Sequence, residues 1–253
     1  MANKYKRILL KLSGEAIAKK NENGAIESIF DENIIFGITS SIKKLVESGT
    51  QVAVVIGAGN IWRGAYAKGV KRARADQMGM LGTMINCLRL EDALEKQGLP
   101  AAVFSPIAMN SFATQYNFRD AIDKLNSGSV VIFGCGTGIP FVTTDTTVCV
   151  RAAEIDADVI MMAKNIDGVY ERDPRDKNGN IDPSVKRYKM ISLDDCLKKS
   201  LHATDLYATM MAQEQKINMY IFALSDPENI YRAANGEEIG TLVTYEQVEP
   251  VTY

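Results

Sequence analysis

The sequence predicts an α/β fold built on a mainly parallel sheet, and three observations predict it. Short apolar runs rich in Val, Ile and Leu recur along the 253 residues. Longer stretches with helical spacing of apolar residues separate them. Glycine-rich segments follow several of the runs directly. Strands alternating with helices make βαβ units, whose parallel sheet is buried on both faces.

The first run, YKRILLKLS, is apolar on both sides at its centre and reads as a buried strand. Residues 33–48 then place Ile34, Ile38, Ile42, Leu45 and Val46 at helical spacing, with Gly49 where a C-cap is expected. QVAVVIG (51–57) is the next strand. A long helix is predicted from Asp76 to Gln97, with Met78, Leu81, Met84 or Ile85, and Leu88 on one face. The methionines of MGMLGTMINCL read as core packing at that spacing. AAVFS, SVVIF, DVIMMA (158–163), INMYIFAL (217–224) and TLVTY (241–245) are further strands. Residues 171–189 read as a polar excursion with two prolines, before a helix whose start at Ser192 and Asp195 resembles a capping box.

A chain of this length buries roughly 70–75% of its unfolded surface. One domain over residues 1–253 is therefore the simplest organisation. Lys plus Arg number 29 and Asp plus Glu 31, a net charge of -2, so no general positive field exists to hold a nucleic acid. Cations that handle phosphate must be local and few. The cysteines Cys87, Cys135, Cys149 and Cys196 form no CxxC pair, and His202 is the one histidine, so no metal site and an ordinary packing role are expected. Scattered thiols fit a reducing cytoplasm. The apolar run Ile8–Leu10 is too short for a signal-peptide core, and no stretch approaches a membrane span, so no membrane partner and a cytoplasmic location are expected.

Ligands of such sheets bind beyond the carboxyl ends of strands, so the segments after the strands carry the functional question. KLSGE places Lys11 at the end of a buried strand, where an ammonium is costly unless it faces an anion. Gly14 beside it lets backbone amides approach phosphate oxygens; the bland alternative is a lysine reaching solvent beside a turn glycine. IGAGNIWRG (56–64) has three glycines, Gly57, Gly59 and Gly64, and Arg63 supplies a planar fork for phosphate. It is neither a Walker sequence nor G-x-G-x-x-G. GCGTGIPFVTTDT (134–146) offers the hydroxyls of Thr137, Thr143, Thr144 and Thr146 and the single carboxylate of Asp145, which is either a helix N-cap or a partner for a lysine or metal ion. MAKNIDGVYERDP (162–174) holds Lys164, Asn165, Tyr170 and Asp173 around a D-G turn. Asp76 at the start of the long helix suits the helix dipole, with a ribose contact as the sharper alternative.

Taken in order, KLSGE, VVIGAGNIWRG, DQMGMLGT, GTGIPFVTTD and AKNIDGVYERDP resemble the motifs of the bacterial-type UMP kinases of the amino-acid kinase superfamily, over about residues 5–244. The resemblance implies a three-layer αβα sandwich, a homohexamer, ATP as donor with Mg2+ carried mainly by the nucleotide phosphates, and UMP as acceptor. It implies an acceptor-binding part over about 1–150 and an ATP-binding part over about 151–253. Lys11, Leu12, Ser13 and Gly14 would hold the ATP phosphates, with Gly59 and Arg63 near both nucleotides. Gly57, Ala58 and Asp76 would meet UMP, together with the segment Thr137, Gly138, Ile139, Pro140, Phe141, Val142, Thr143 and Thr144. Asp145 would organise the catalytic lysine, Lys11, and the metal ion, with Arg63 also catalytic. Lys164 or Asn165, with Tyr170 and Asp173, would line the base and ribose pocket of ATP. Ala58 departs from the family's glycine run, as do Phe118 and Glu91 from residues of some relatives at an inter-subunit GTP site. UTP inhibition follows from occupancy of the UMP site, whereas a GTP effector is left open. Rival readings are a carboxylate or carbamate kinase of the same superfamily and a non-catalytic nucleotide-binding protein.

Overall fold

The computed structural model describes residues 4–64, 67–174, 182–201 and 204–253; His202 and residues 175–181 of the polar excursion lie outside these. The first half of the chain forms β1 (Arg7–Leu12), a 3-10 turn (Gly14–Ile17), β2 (Lys19–Lys20), β3 (Ile26–Ser28), α1 (Glu32–Glu47), β4 (Gln51–Ile56), α2 (Arg72–Lys96), β5 (Ala101–Ser105), β6 (Thr114–Gln115), α3 (Phe118–Asn126) and β7 (Val130–Phe133). The second half forms α4 (Thr144–Glu154), β8 (Val159–Lys164), β9 (Tyr188–Ser192), α5 (Leu193–Lys198), α6 (Leu206–Glu214), β10 (Asn218–Ala223), α7 (Asn229–Ala234), β11 (Thr241–Thr244) and β12 (Val251–Thr252).

Ten strands make one sheet in the order β12-β9-β11-β10-β8-β1-β4-β7-β5-β6. β1 is parallel to β4 on one side and to β8 on the other. β2 and β3 pair with each other outside this sheet; the other first-half strands, β4 to β7, thus lie to one side of β1, and those of the second half lie to the other. This reversal of direction at β1 is the topological switch point where open α/β sheets hold their ligands. The exceptions to parallel pairing are at the second-half edge, where β11 runs antiparallel to β10 and β12 antiparallel to β9.

Pleating divides the core in two. Ile8, Leu10 and Leu12 pack with Ile38 and Ile42 of α1, Met84 and Cys87 of α2, and Ile230 of α7. Leu9 faces the opposite layer, with Leu125 of α3, Val148 of α4, Leu193 of α5 and Ala208 of α6. Helices on both faces of the sheet give three αβα layers. Asp31 caps α1 by accepting from the Asn33 and Ile34 amides, and Gly49 beyond its end has φ +95°, a conformation that costs glycine little.

Two expectations about the long helix are corrected. It begins at Arg72, one turn before Asp76, so Asp76 is not a helix-start acid. Its buried face runs through Met80, Met84, Cys87, Leu90 and Leu94, whereas Met78, Leu81 and Ile85 are exposed and Leu88 is half-buried. Both sets have helical spacing, so periodicity alone could not choose between them; packing against β4, β5 and β7 decided. All four cysteines are buried and unpaired. Burial, with lesser help from nearby carboxylates, pushes the thiols of Cys149 and Cys196 up to about 12, so both stay protonated and unreactive at neutral pH.

Candidate active site

Alternation along β1 places Lys11 on the Leu9 side of the sheet, facing the first turn of α4. There Lys11 Nζ meets Asp145 Oδ1 at 2.9 Å. Lys164, the last residue of β8, reaches the other oxygen at 3.2 Å, and the Thr204 hydroxyl donates to that same oxygen at 3.0 Å. Asp145 is not the N-cap of α4; Thr143 is, its hydroxyl accepting from the Thr146 amide at 3.1 Å. Burial disfavours an ionised Asp145, but the two ammoniums, with hydrogen bonds from Lys11 and Thr204, outweigh it and hold the carboxyl well below the usual carboxylate range. Burial lowers the Lys164 pKa, partly countered by Asp145 and reinforced by Lys11. Two ammoniums converging on one carboxylate at a strand-end cluster is an arrangement that a multiply charged anion completes.

The glycines of the first two loops meet back to back. A Cβ on Gly14 would lie 2.3 Å from the Gly57 carbonyl oxygen, 2.7 Å from Asn60 Oδ1 and 2.8 Å from the Gly59 amide. Asn86 of α2 holds the Gly57 carbonyl at 2.7 Å and pairs with Asn60 at 2.8 and 3.0 Å; both asparagines are buried. The Ala58 carbonyl accepts from the Ile61 and Trp62 amides. Among the described residues the Ala58 and Gly59 amides donate to no protein group, which leaves them to an anion. Ala58 is not among the residues with positive φ, and its methyl fills the space that Gly82 leaves, where a Cβ would be only 2.9 Å away. Gly14→Ala is therefore expected to cost about 1–3 kcal/mol of stability and about 100-fold in turnover through misplacement of both loops. Urea unfolding and steady-state kinetics check this; an unchanged midpoint with full activity would show that the loops do not press together.

Three cavities join at this point. A cleft of about 690 Å³ is lined by Lys11, Ser13, Lys164, Asn165, Tyr170 and Asp173, with Gly168, Leu201 and Ile221. A junction of about 290 Å³ shares Lys11 and Ser13 with it and adds Gly14, Gly57, Ala58, Gly59, Arg63 and Thr144. A third pocket, about 210 Å³, shares Ala58 and Thr144 with the junction and is lined by Asp76, Thr137, Ile139, Val142 and Thr143. Leu12 is fully buried, so only its backbone reaches the site, its carbonyl accepting from the Gly57 amide. Gly138, Pro140 and Phe141 are not in the third pocket's lining, and the Phe141 side chain is exposed. Phe141 has φ +71°, an uncommon conformation for a bulky residue, and its amide donates to Asp76 Oδ2 at 2.9 Å. Asp76 also takes Arg72 at 2.9 and 3.0 Å, so it holds the acceptor loop as well as facing the pocket. Arg63 is paired with Glu15.

Sequence reasoning passed over several participants. Asp205 caps α6 and accepts from the Thr143 and Thr146 hydroxyls, tying α6 to the start of α4. The T-D pair before LYATMM was its available signal. Arg151 is buried, lies 3.8 Å from the Tyr116 ring centroid and donates to the Gly136 carbonyl at 3.2 Å and to Glu154 at 2.6 Å. A lone arginine within a helical run gives no such hint.

The sequence profile of the amino acid kinase family matches residues 6–233. Among solved structures, a UMP kinase from Bacillus anthracis superposes with a TM-score of 0.89 at 34% identity, covering 98% of this chain and 99% of that one. A UMP kinase from Ureaplasma parvum gives 0.86 at 34% identity, covering 94% and 98%. A uridylate kinase from Archaeoglobus fulgidus gives 0.72 at 27% identity, covering 94% and 99%.

Proposed function

Because the chain belongs to the amino acid kinase family, we propose that it transfers the γ-phosphoryl group of ATP to UMP, giving UDP and ADP. The observation that carries this reading is the joined set of cavities, large, small and small, with Lys11 where the cleft meets the junction and, in the junction, the Ala58 and Gly59 amides, which donate to no protein group among the described residues. ATP takes the 690 Å³ cleft, its phosphates point into the junction, and UMP takes the pocket under Asp76 and the threonine loop. The acceptor side thus comes from about residues 1–150 and the donor side mainly from about 151–253, with Lys11 and Ser13 reaching it from the end of β1.

The acceptor oxygen is a phosphate oxygen already ionised at neutral pH, so no general base is needed. Rate enhancement then comes from alignment and charge neutralisation. Lys11, held by Asp145, contacts the transferring group. Arg63 leaves Glu15 to counter repulsion between donor and acceptor phosphates. Among the described residues no three His, Cys, Asp or Glu side chains stand together as a metal-ligand set. Mg2+ fits instead as an ion brought by the ATP phosphates, with Asp145 the protein oxygen donor at hand, and it would neutralise charge on the transferring group. The exposed Met78, Leu81 and Ile85 stripe of α2 supports self-association, for which a hexamer is the proposed form. Inhibition by UTP at the acceptor pocket and a place in pyrimidine nucleotide synthesis follow from the same reading; a GTP response is no part of it. No helix among the described residues is long and apolar enough to cross a membrane, and a cytoplasmic site is proposed.

A coupled assay of ADP release tests the function. With ATP, UMP is expected to exceed glutamate, aspartate and carbamate as acceptor by at least about 100-fold, because hydroxyl and amide donors of the threonine loop would be left unpaired by the wrong acceptor. Faster turnover with an amino acid would assign the chain to the carboxylate kinases, and ATP binding without ADP release would make it a non-catalytic binder.

A further inference from the structure

The donor cleft rests on a network that the mechanism does not use. Tyr170 lines the cleft, and its hydroxyl donates to Asp167 Oδ1 at 2.7 Å. Arg187 Nη1 donates to Asp167 Oδ2 at 2.5 Å and to the Asp167 carbonyl at 3.0 Å. The backbones also meet there, with Tyr170 bridging Arg187 and the Glu171 amide donating to the Lys186 carbonyl at 3.1 Å. A Cβ on Gly168 would lie 2.9 Å from Arg187 Cδ and 2.4 Å from Thr241 Oγ1, so the D-G turn sits directly on these two side chains.

β12 carries Tyr253 to the far side of the same arginine. The Tyr253 ring centroid is 4.3 Å from the Arg187 guanidinium carbon, and the Tyr253 amide donates to the Arg187 carbonyl at 3.0 Å. Its hydroxyl stands 3.1 and 3.0 Å from the Glu238 and Gly240 carbonyls. A guanidinium clamped between an aromatic face and a carboxylate loses its freedom to turn to solvent, and its partner carboxylate is fixed with it. None of Asp167, Tyr170, Arg187 and Tyr253 lines the acceptor pocket.

We propose that residues 251–253 form a strap for the donor cleft, in which Tyr253 and Arg187 are positioning residues that act through Asp167 and Tyr170 on affinity for the nucleoside triphosphate. This rests on the reading of the 690 Å³ cleft as the ATP site. The strap sets donor affinity and leaves the acceptor alone, which separates it from a general stabilising contact.

The test compares the full-length protein with Tyr253→Ala, Tyr253→Phe and Arg187→Lys, measuring ATP binding by titration calorimetry, KM for both substrates, and Tm. Tyr253→Ala is expected to weaken ATP binding and raise its KM about three- to tenfold, leave the UMP KM within about twofold, and be largely rescued by phenylalanine, which keeps the ring over the guanidinium. Arg187→Lys should match the alanine variant, because an ammonium cannot hold the ring together with Oδ2 and the carbonyl oxygen of Asp167. ATP affinity unchanged in Tyr253→Ala, or both KM values rising together with a fall in Tm, overturns the strap while the wild type still binds ATP. A wild type that binds no ATP overturns the cleft assignment and the strap with it.

Discussion

Lys11→Ala is expected to lower kcat/KM by about 1000-fold or more, with the protein still folded. The loss is large because, among the described residues, Lys11 is the one side chain shared by the donor cleft and the junction whose charge is fixed in place before substrates arrive. A preorganised ammonium costs no reorganisation when negative charge shifts across the transferring group, whereas water filling the gap must reorient. Folding survives because Asp145 is not orphaned: Lys164 and Thr204 remain on its other oxygen. Lys11→Met, which keeps most of the apolar stem, should lose the same activity with a smaller change in unfolding midpoint. If the alanine variant turns over at near-wild-type rate, the charge at position 11 has no part in the chemistry. If it fails to fold while the methionine variant folds and is active, the residue is a core element and the mechanism fails equally.

How much of this was legible in the sequence depends on what each residue answers to. Buried parallel strands are continuous apolar runs, so β1, β4, β5, β7, β8 and β10 could be read almost to the residue. The strand-end segments could be read because glycine next to a cation or a hydroxyl run has few other uses. The helix α2 could be found but not oriented, since its two apolar stripes have the same period and the choice lies with partners distant in sequence. Asp145 stands out in the sequence, but its place inside the first turn of α4 does not, because Thr143 and Asp145 are both good caps and only packing selects one. Thr204, Asp205 and Arg151 act through contacts with residues far along the chain, and no local pattern reports such contacts. The strap at Tyr253 belongs to the same class: Arg187 lies 66 positions before it (253 − 187), and their stacking exists only once β12 has paired with β9.

Asp145→Asn should show the second large effect, on stability as well as rate. The amide leaves Lys11 and Lys164 facing each other across a buried site with no anion between them, and removing one partner of such a cluster costs about 3–5 kcal/mol. The dependence on pH carries the signature. The Asp145 carboxyl titrates below its unfolded value of about 3.9, so its contribution is complete above that value and is lost as pH falls through the lower folded pKa. The gap between wild type and variant should thus be flat from about pH 8 down to about pH 5 and close only under more acid conditions. At the alkaline end the sign reverses for a different group. Lys164 already binds its proton less tightly in the fold than in the unfolded chain, and loss of Asp145 removes the interaction that opposes this. The unfolded variant then holds more protons than the folded one, so the variant's stability should rise with pH as Lys164 gives up its charge, narrowing the gap again. Urea unfolding of both proteins between pH 3 and pH 10 measures the whole curve. A gap that stays constant to the acid limit, or an asparagine variant as stable as wild type at pH 7, would mean that the two lysines do not depend on Asp145, and the charge cluster would lose its place at the centre of the site.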